Sequence, residues 1–266
     1  MTQTDVYELF AVRYATHKRK ASENFIGGDP HDYPMPMDYF VWVATNNERT
    51  FVIDTGFNVA RAAKRGREFL RCPVRTLSEL GVDATRQVDV ILTHLHYDHA
   101  GNCDLFPNAR FHLQEHEIAF ATGRYMKYDF TSAAYEVDDV VGVVRAVFAR
   151  RVEFYSGDAE IAPGISVHLI GGHTMGLQAV RVRTRRGWVV VASDATHFFA
   201  NLQQRRPFPI VLDVGKMLEG YQKLEQLADS VDHIIPGHDP LVMELYPPAE
   251  ERLRGMVVRL DAAPVK

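Results

Sequence analysis

The sequence predicts a mixed α/β (α+β) protein whose short strands end in loops that carry histidine and aspartate. Strand-like runs such as Val88–Leu92 and Val189–Ala192 occur between segments of helical period, of which Val214, Met217, Leu218, Tyr221 and Leu224 are the clearest. Several runs stop at an Asp or a Gly-containing loop. At 266 residues, 46% hydrophobic and 24% charged, the chain can bury a substantial core beneath an ordinary polar surface. No repeat, low-complexity tract or linker divides it, so residues 1–266 are expected to form one domain.

In order, Val6–Tyr14 reads as an opening strand. Ala21–Asp38 is rich in Gly, Pro and Asp yet carries Phe25, Ile26, Tyr33, Met35 and Met37, so it is expected to pack over the core edge, a partner subunit or a pocket. Tyr39–Ala44 and Thr50–Ile53 make a hairpin about Asn46-Asn47, closed by Asp54-Thr55-Gly56. Val59–Arg71 is helix-like and basic through Arg61, Lys64, Arg65, Arg67 and Arg71; a solvated face is expected, with steering of an acidic substrate as the alternative. A short helix, Thr76–Leu80, is stopped by Gly81.

Strand Arg110–Leu113 and helix Glu115–Ala121 precede the aromatic stretch Thr122–Phe130. Helix Val137–Phe148 follows, with Val140, Val144 and Val147 on one face, and the whole excursion is read as an insertion packed over the functional loops, with a plain core satellite as the alternative. Further strands are Val152–Tyr155, Ile165–Ile170 and the pair Ala179–Thr184 and Trp188–Ala192. Asp213 caps a helix reaching Ala228, Val231–Ile235 is a last strand, and Ala249–Leu260 is expected to close the chain as a helix.

A net charge of -4 offers no basic field for nucleic acid or anionic membrane. Met1–Lys20 has no apolar leader-like segment and no run reaches membrane-spanning length, so a cytoplasmic location is expected. Cys72 and Cys103 make no disulfide framework and read as free thiols.

The chemistry gathers in His94-Leu95-His96-Tyr97-Asp98-His99, straight after a strand. Four metal-ligand types in six residues cannot share one face of a strand, but they fit a loop curled around an ion. Imidazole and carboxylate suit Zn, Fe, Mn or Ni, and the lack of Cys argues against a closed structural zinc site. Three more strand-end loops supply His173, Asp194 and His238; glycines around His173 let the backbone aim it inward. Five His and two Asp fit two ions: His94, His96 and His173 on one, Asp98, His99 and His238 on the other, with Asp194 bridging. Asp54, at its own strand end, is a candidate to orient a ligating histidine. The other histidines, His17, His31, His112, His116, His168 and His233, have no partner spacing and read as structural or exposed.

The order His-x-His-x-Asp-His, Gly-His-Thr, Ser-Asp-Ala and Gly-His resembles the metallo-β-lactamase superfamily. Asp54-Thr55-Gly56, Gly-Gly-His-Thr and Ile-Pro-Gly-His238-Asp-Pro look most like its N-acyl homoserine lactonase group. That resemblance spans roughly Tyr39 to Pro247 and implies a four-layer αββα sandwich with a dinuclear site at one edge of its sheets. It implies two divalent cations, most simply Zn with Fe, Mn, Co or Ni as alternatives, whose shared hydroxide opens a lactone or related ester. Asp98 would carry a proton to the leaving oxygen.

The departures are informative. Asp194 stands where zinc β-lactamases with a cysteine ligand have that Cys, and His96 where flavo-diiron proteins have Glu. His197 occupies the position of the lactonases' carbonyl-assisting Tyr, three residues past Asp194, so carbonyl polarisation falls to His197 or to the metal alone. Phe25, Tyr33, Met35, Tyr128, Phe198 and Phe199 are candidates to line an apolar pocket. A glyoxalase II-like thioesterase, with Arg205 and Arg206 for the glutathione carboxylates, is the alternative reading, and a one-iron sulfur dioxygenase a further one. The resemblance allows a monomer or a homodimer.

Overall fold

Alternation along the opening strand sets the layers. In the computed structural model, which describes residues 5–265, β1 (Glu8–His17) points Leu9 and Ala11 one way and Phe10, Val12 and Tyr14 the other, and all five are buried. A strand apolar on both faces needs cover on both. Leu9 and Ala11 pack with Trp42, Ile53, Val180, Val182, Val189 and Val191, which form the core between two sheets. Phe10, Val12 and Tyr14 belong to a second core, closed from outside by helical Ala62, Leu77, Phe120, Val140 and Val143.

The first sheet runs β13 (Val257–Arg259), β1, β2 (Met37–Thr45), β3 (Thr50–Ile53), β5 (Asp89–Ile91), β6 (Arg110–Gln114) and β7 (Val152–Tyr155), with β4 (Glu68–Phe69) paired to the end of β1. Its pairing is antiparallel as far as β3 and parallel from β3 to β7. The second sheet runs β12 (Ile234–Pro236), β11 (Gly187–Ser193), β10 (Gln178–Thr184), β9 (Ile165–Leu169) and β8 (Ala159–Ala162). Helices α1 (Val59–Arg65), α2 (Pro73–Glu79), α4 (Glu115–Ala121) and α6 (Val137–Phe148) cover the first sheet, and α7 (Phe199–Gln203) and α8 (Val214–Leu227) cover the second. The short turns α3 (Tyr97–Ala100), α5 (Asp129–Ser132) and α9 (Leu241–Leu245) complete the set. This is the αββα sandwich that the resemblance implied. Parallel β3 and β5 release their loops at one edge, as do parallel β11 and β12, so functional loops from both sheets meet there.

Four expectations need correction. The basic helix ends at Arg65, because Gly66 takes a left-handed φ of 64°, and Glu68–Phe69 then pairs with β1. The closing helix Ala249–Leu260 does not form; Gly255 turns the chain at φ 76°, and β-branched Val257-Val258 extends β13 along the open edge of β1. Val231–His233 is a 3₁₀ turn, which leaves only Ile234–Pro236 as strand. On α6 the buried row is Val140, Val143 and Ala146, with Val144 and Val147 half-buried. Strand β8 and helices α7 and α9 were not anticipated.

Candidate metal centre

The strand-end loop after β5 turns Leu95 into the core, which leaves His94 and His96 facing the cleft edge, and the turn of α3 adds Asp98 and His99. Asp54 stands behind them. It is fully buried in a left-handed conformation (φ 61°), which Asp tolerates better than most residues. It accepts from the Thr93 N–H at 2.7 Å and the Thr93 hydroxyl at 2.8 Å, and faces His99 Nδ1 at 2.7 Å. That contact turns His99 Nε2 toward the cleft.

His173 arrives on Gly171 and Gly172, with φ of 70° and 84°. A Cβ at Gly172 would sit 2.7 Å from the Met217 amide nitrogen, so helix α8 requires a glycine there. His173 Nδ1 donates to the Ile210 carbonyl at 2.6 Å and His238 Nδ1 to the Asp38 carbonyl at 2.8 Å. A carbonyl can only accept, so Nδ1 carries a proton in both rings and Nε2 is left facing inward. Burial, followed by the neighbouring rings, holds the His94 and His96 imidazoles well below their ordinary pKa. Neutral imidazole is the form that ligates metal.

These nitrogens converge. His173 Nε2 lies 3.2 Å from His94 Nε2 and 2.9 Å from His96 Nδ1. Nitrogens bound at about 2.0–2.1 Å to one tetrahedral ion stand about 3.3 Å apart, so this spacing suits a shared cation. Asp194 spans two groups. Its Oδ2 is 3.2 Å from His173 Nε2 and 3.8 Å from His94 Nε2, while Oδ1 is 3.0 Å from His238 Nε2 and 3.3 Å from His99 Nε2. Asp98 Oδ2 completes the second group, 3.7 Å from His99 Nε2 and 3.8 Å from His238 Nε2. His99 Nε2, His238 Nε2 and Asp194 Oδ1 are buried without a hydrogen bond. Such atoms are costly to leave bare, and an imidazole and carboxylate set of this kind fits divalent cations. The groups His94, His96, His173, Asp194 and Asp98, His99, His238 can each hold a metal ion.

His197 is buried, stacked on Phe208 (centroids 3.3 Å apart, planes 8° apart), with Nε2 2.9 Å from Asp194 Oδ2. Since that Nε2 donates to a carboxylate, Nδ1 of the neutral ring is an acceptor. The ring can position Asp194 through this contact and it borders the cleft, where carbonyl polarisation was expected of His197 or of the metal alone.

The histidines and aspartates floor a cavity of about 220 Å³ whose walls include Tyr39, Tyr97, Phe120, Phe130, Ile210, Arg19, Arg65 and Arg67. Phe130, Thr131, Ala133 and Ala134 come from the excursion after α4, which does pack over the site. None of the six expected pocket residues lines this cavity. Phe25 is buried beneath the Arg206 guanidinium, and Tyr128 is exposed. Tyr33, Met35, Phe198 and Phe199 border a separate depression beside Pro240 and Tyr246, although the Phe198 ring also stands edge-on to His197 with centroids 6.5 Å apart. Arg205 pairs with Glu225, and Arg206 with Asp29 and the Gly28 carbonyl, so neither serves the cleft. Cys72 and Cys103 are free, as expected. His112 bridges Tyr155 and Asp89, His168 bridges Ser166 and Asp158, and His233 bonds Ser230 and Arg186.

The sequence reading missed Glu117. Its Oε1 accepts from the Leu95 N–H and the Tyr135 hydroxyl, both at 2.9 Å. Its Oε2 accepts from the Thr174 hydroxyl at 2.6 Å and the Gly176 N–H at 3.1 Å. One buried carboxylate thus ties the loop of His94 and His96 to the loop of His173. Nothing in its local sequence marks it off from an exposed helix residue.

Residues 36–238 match the metallo-β-lactamase superfamily, and the chain belongs to that family. The match takes in every loop just described. Among its relatives, the N-acyl homoserine lactonase AttM of Azorhizobium caulinodans is 27% identical over 243 residues, covering 80% of this chain and 85% of that protein. The N-acyl homoserine lactonase AiiA of Bacillus thuringiensis subsp. kurstaki is 26% identical over 170 residues, 62% of this chain, and the match spans only 61% of that relative's length. A solved N-acyl homoserine lactone hydrolase, with the product N-hexanoyl-L-homoserine at its catalytic metal centre, has the same fold. It superposes with a TM-score of 0.73 at 20% identity, over 90% of this chain and 96% of that one. Among the described residues no helix is long and apolar enough to cross a membrane.

Proposed function

We propose that this protein is a dinuclear metal-dependent hydrolase that opens a lactone ring, an N-acyl homoserine lactone or a related lactone being the substrate. The observation that carries the reading is the Asp194 carboxylate set between two groups of inward-facing ring nitrogens, of which His99 Nε2 and His238 Nε2 are buried without a hydrogen bond. The lactonase relatives support the substrate class. In this reading His94, His96 and His173 hold one cation and Asp98, His99 and His238 the other, with Asp194 shared and Asp54 orienting His99. Zinc suits the donors best, and Fe, Mn, Co and Ni are alternatives. When bound, the pair supplies Lewis acidity and water acidic enough to ionise near neutral pH.

The chain's own groups do the rest. Asp98 lines the cleft and is placed to pass a proton to the departing ring oxygen, which would otherwise leave as an alkoxide. His197, wedged against Phe208, fixes the direction of Asp194. Phe120, Phe130 and Ile210 give the cleft an apolar wall that excludes water from the reacting ester. We read residues 1–266 as one hydrolase domain, cytoplasmic, working as a monomer or homodimer on a small molecule, with no nucleic acid or membrane partner.

The test pairs elemental analysis with a substrate panel: acyl homoserine lactones of several chain lengths, γ- and δ-lactones, aryl esters and a glutathione thioester. Two ions per chain with lactones turned over fastest is the expected result. A single iron per chain, or a clear preference for the thioester, would replace the reading with a sulfur dioxygenase or a thioesterase.

A further inference from the structure

Three arginines share the cleft with the metal loops, in a chain whose net charge is -4. They are not equivalent. Arg65 lies 3.9 Å over the Tyr97 ring and is neutralised by Glu136 at 2.7 Å. Arg67 is brought in by the turn at Gly66 and the short β1–β4 pairing. It donates through Nε to the Tyr97 hydroxyl at 3.2 Å, and through Nη1 to the Arg65 carbonyl at 2.8 Å and His17 Nε2 at 3.1 Å. Its Nη2 makes no hydrogen bond, and no carboxylate among the described residues pairs with it. Arg19 is similarly short of a counter-ion. Its side chain is 15% exposed, it reaches the Glu23 carboxylate only at 4.0 Å, and otherwise it bonds the Met37 sulfur at 3.5 Å and the Glu23 carbonyl.

Two half-buried guanidiniums without a close carboxylate partner are a costly arrangement unless something negative is meant to meet them. The local field is already felt by His17, which burial, Arg67 and Arg19 push down to about 4. A guanidinium fork matches an oxyanion in two parallel hydrogen bonds. The distance between this corner and the metal loops is set by two tyrosines. Tyr97 Oη, bonded to Arg67, donates to Tyr39 Oη at 3.4 Å, and the Tyr39 ring stands edge-on to His238 with centroids 5.1 Å apart. The basic corner is therefore about one tyrosine side chain away from the histidines.

We propose that the lactone taken by this site carries an oxyanion group, most simply a carboxylate, held by Arg67 and Arg19 while the ring carbonyl lies against the histidines. The proposal rests on the hydrolase reading above and narrows its substrate class. Ring opening adds one water across the acyl C–O bond, giving a hydroxyl, a carboxylate and a proton. The remote anion keeps its charge throughout and serves only for binding, so the product is a dianion.

The experiment compares γ-butyrolactone-γ-carboxylate with its γ-carboxamide, on metal-loaded wild type, Arg67→Gln, Arg19→Gln and Arg67→Lys. Wild type should prefer the carboxylate in kcat/KM by at least about tenfold, mainly through KM, as one charge-assisted hydrogen bond provides. Each Gln variant should lose most of that preference, and the Lys variant should keep part of it; thermal melting checks that all are folded. Equal turnover of the two lactones, or a preference untouched by both Gln variants, overturns the anion proposal and leaves the hydrolase reading intact. If neither lactone is opened, calorimetric binding of cyclopentanecarboxylate to the same metal-loaded proteins decides. Binding about tenfold weaker in Arg67→Gln supports the anion corner, and equal binding overturns it.

Discussion

Replacing Glu117 with Gln tests whether a single carboxylate keeps the two histidine loops in register. The side chain keeps its shape and loses one acceptor oxygen. Of the four donors it satisfies, the Tyr135 and Thr174 hydroxyls can turn round, whereas the Leu95 and Gly176 N–H groups cannot. Whichever way the amide is placed, its NH₂ meets one of those two N–H groups in a buried site. One charge-assisted hydrogen bond is lost and one buried N–H is left bare, for a destabilisation of about 3 kcal/mol. In a chain of this size that is a drop in melting temperature of roughly 5 °C. The Leu95 bond fixes the loop of His94 and His96, and the Thr174 and Gly176 bonds fix that of His173, so metal retention should fall in step. Urea unfolding of the metal-free protein and elemental analysis after dialysis measure the two effects. A loss under about 1 kcal/mol with full metal content would refute the reasoning, since it would mean that water or a neighbour replaces the carboxylate.

Other expectations follow from the same geometry. Asp98→Asn should keep most of the metal and lose most turnover; full activity would remove Asp98 from the proton transfer. His197→Phe preserves the stack on Phe208 but deletes the hydrogen bond to Asp194, so kcat should fall by about tenfold and stability by about 2 kcal/mol, the loss being one buried charge-assisted bond. Chelation exposes the unsatisfied His99, His238 and Asp194 atoms to one another, and adding Zn²⁺ back should raise the melting temperature in a concentration-dependent way. His17 gives a pH signature. Its folded pKa of about 4 lies below the ordinary 6.5, so the unfolded chain takes up the proton first; the stabilisation is complete above about pH 6.5 and is lost as pH falls toward 4. His17→Gln should flatten that part of the stability curve, and an unchanged slope would place His17 outside the arginine field.

What could be read from the sequence was whatever has a local cause. The seven candidate ligands and Asp54 were visible because each sits at a strand end in a short, unusual run, and the structure brings them together. Helices α4 and α6 fall at the expected limits since their periodic residues and flanks agree. Long-range causes stayed hidden. Val257–Arg259 is a strand because the edge of β1 lies open to it, a fact written some 250 residues earlier in the chain. Arg67 looked like one more cation on a solvated helix until Gly66 ended the helix and turned the side chain into the cleft. The pocket residues were read from aromatic content near the motifs, yet Phe198 and Phe199 line a separate depression beside Pro240.

The straddling position of Asp194 has a mechanical consequence. Asp54 and the His94–His99 loop hang from one sheet, and His173, Asp194 and His238 from the other. Between the layers there is otherwise chiefly apolar contact, which resists separation but tolerates sliding. Ions gripped from both sides would act as rivets through the seam and make the two halves open together. Amide hydrogen exchange should therefore turn from two independent breathing motions into one concerted opening once the metals are in place.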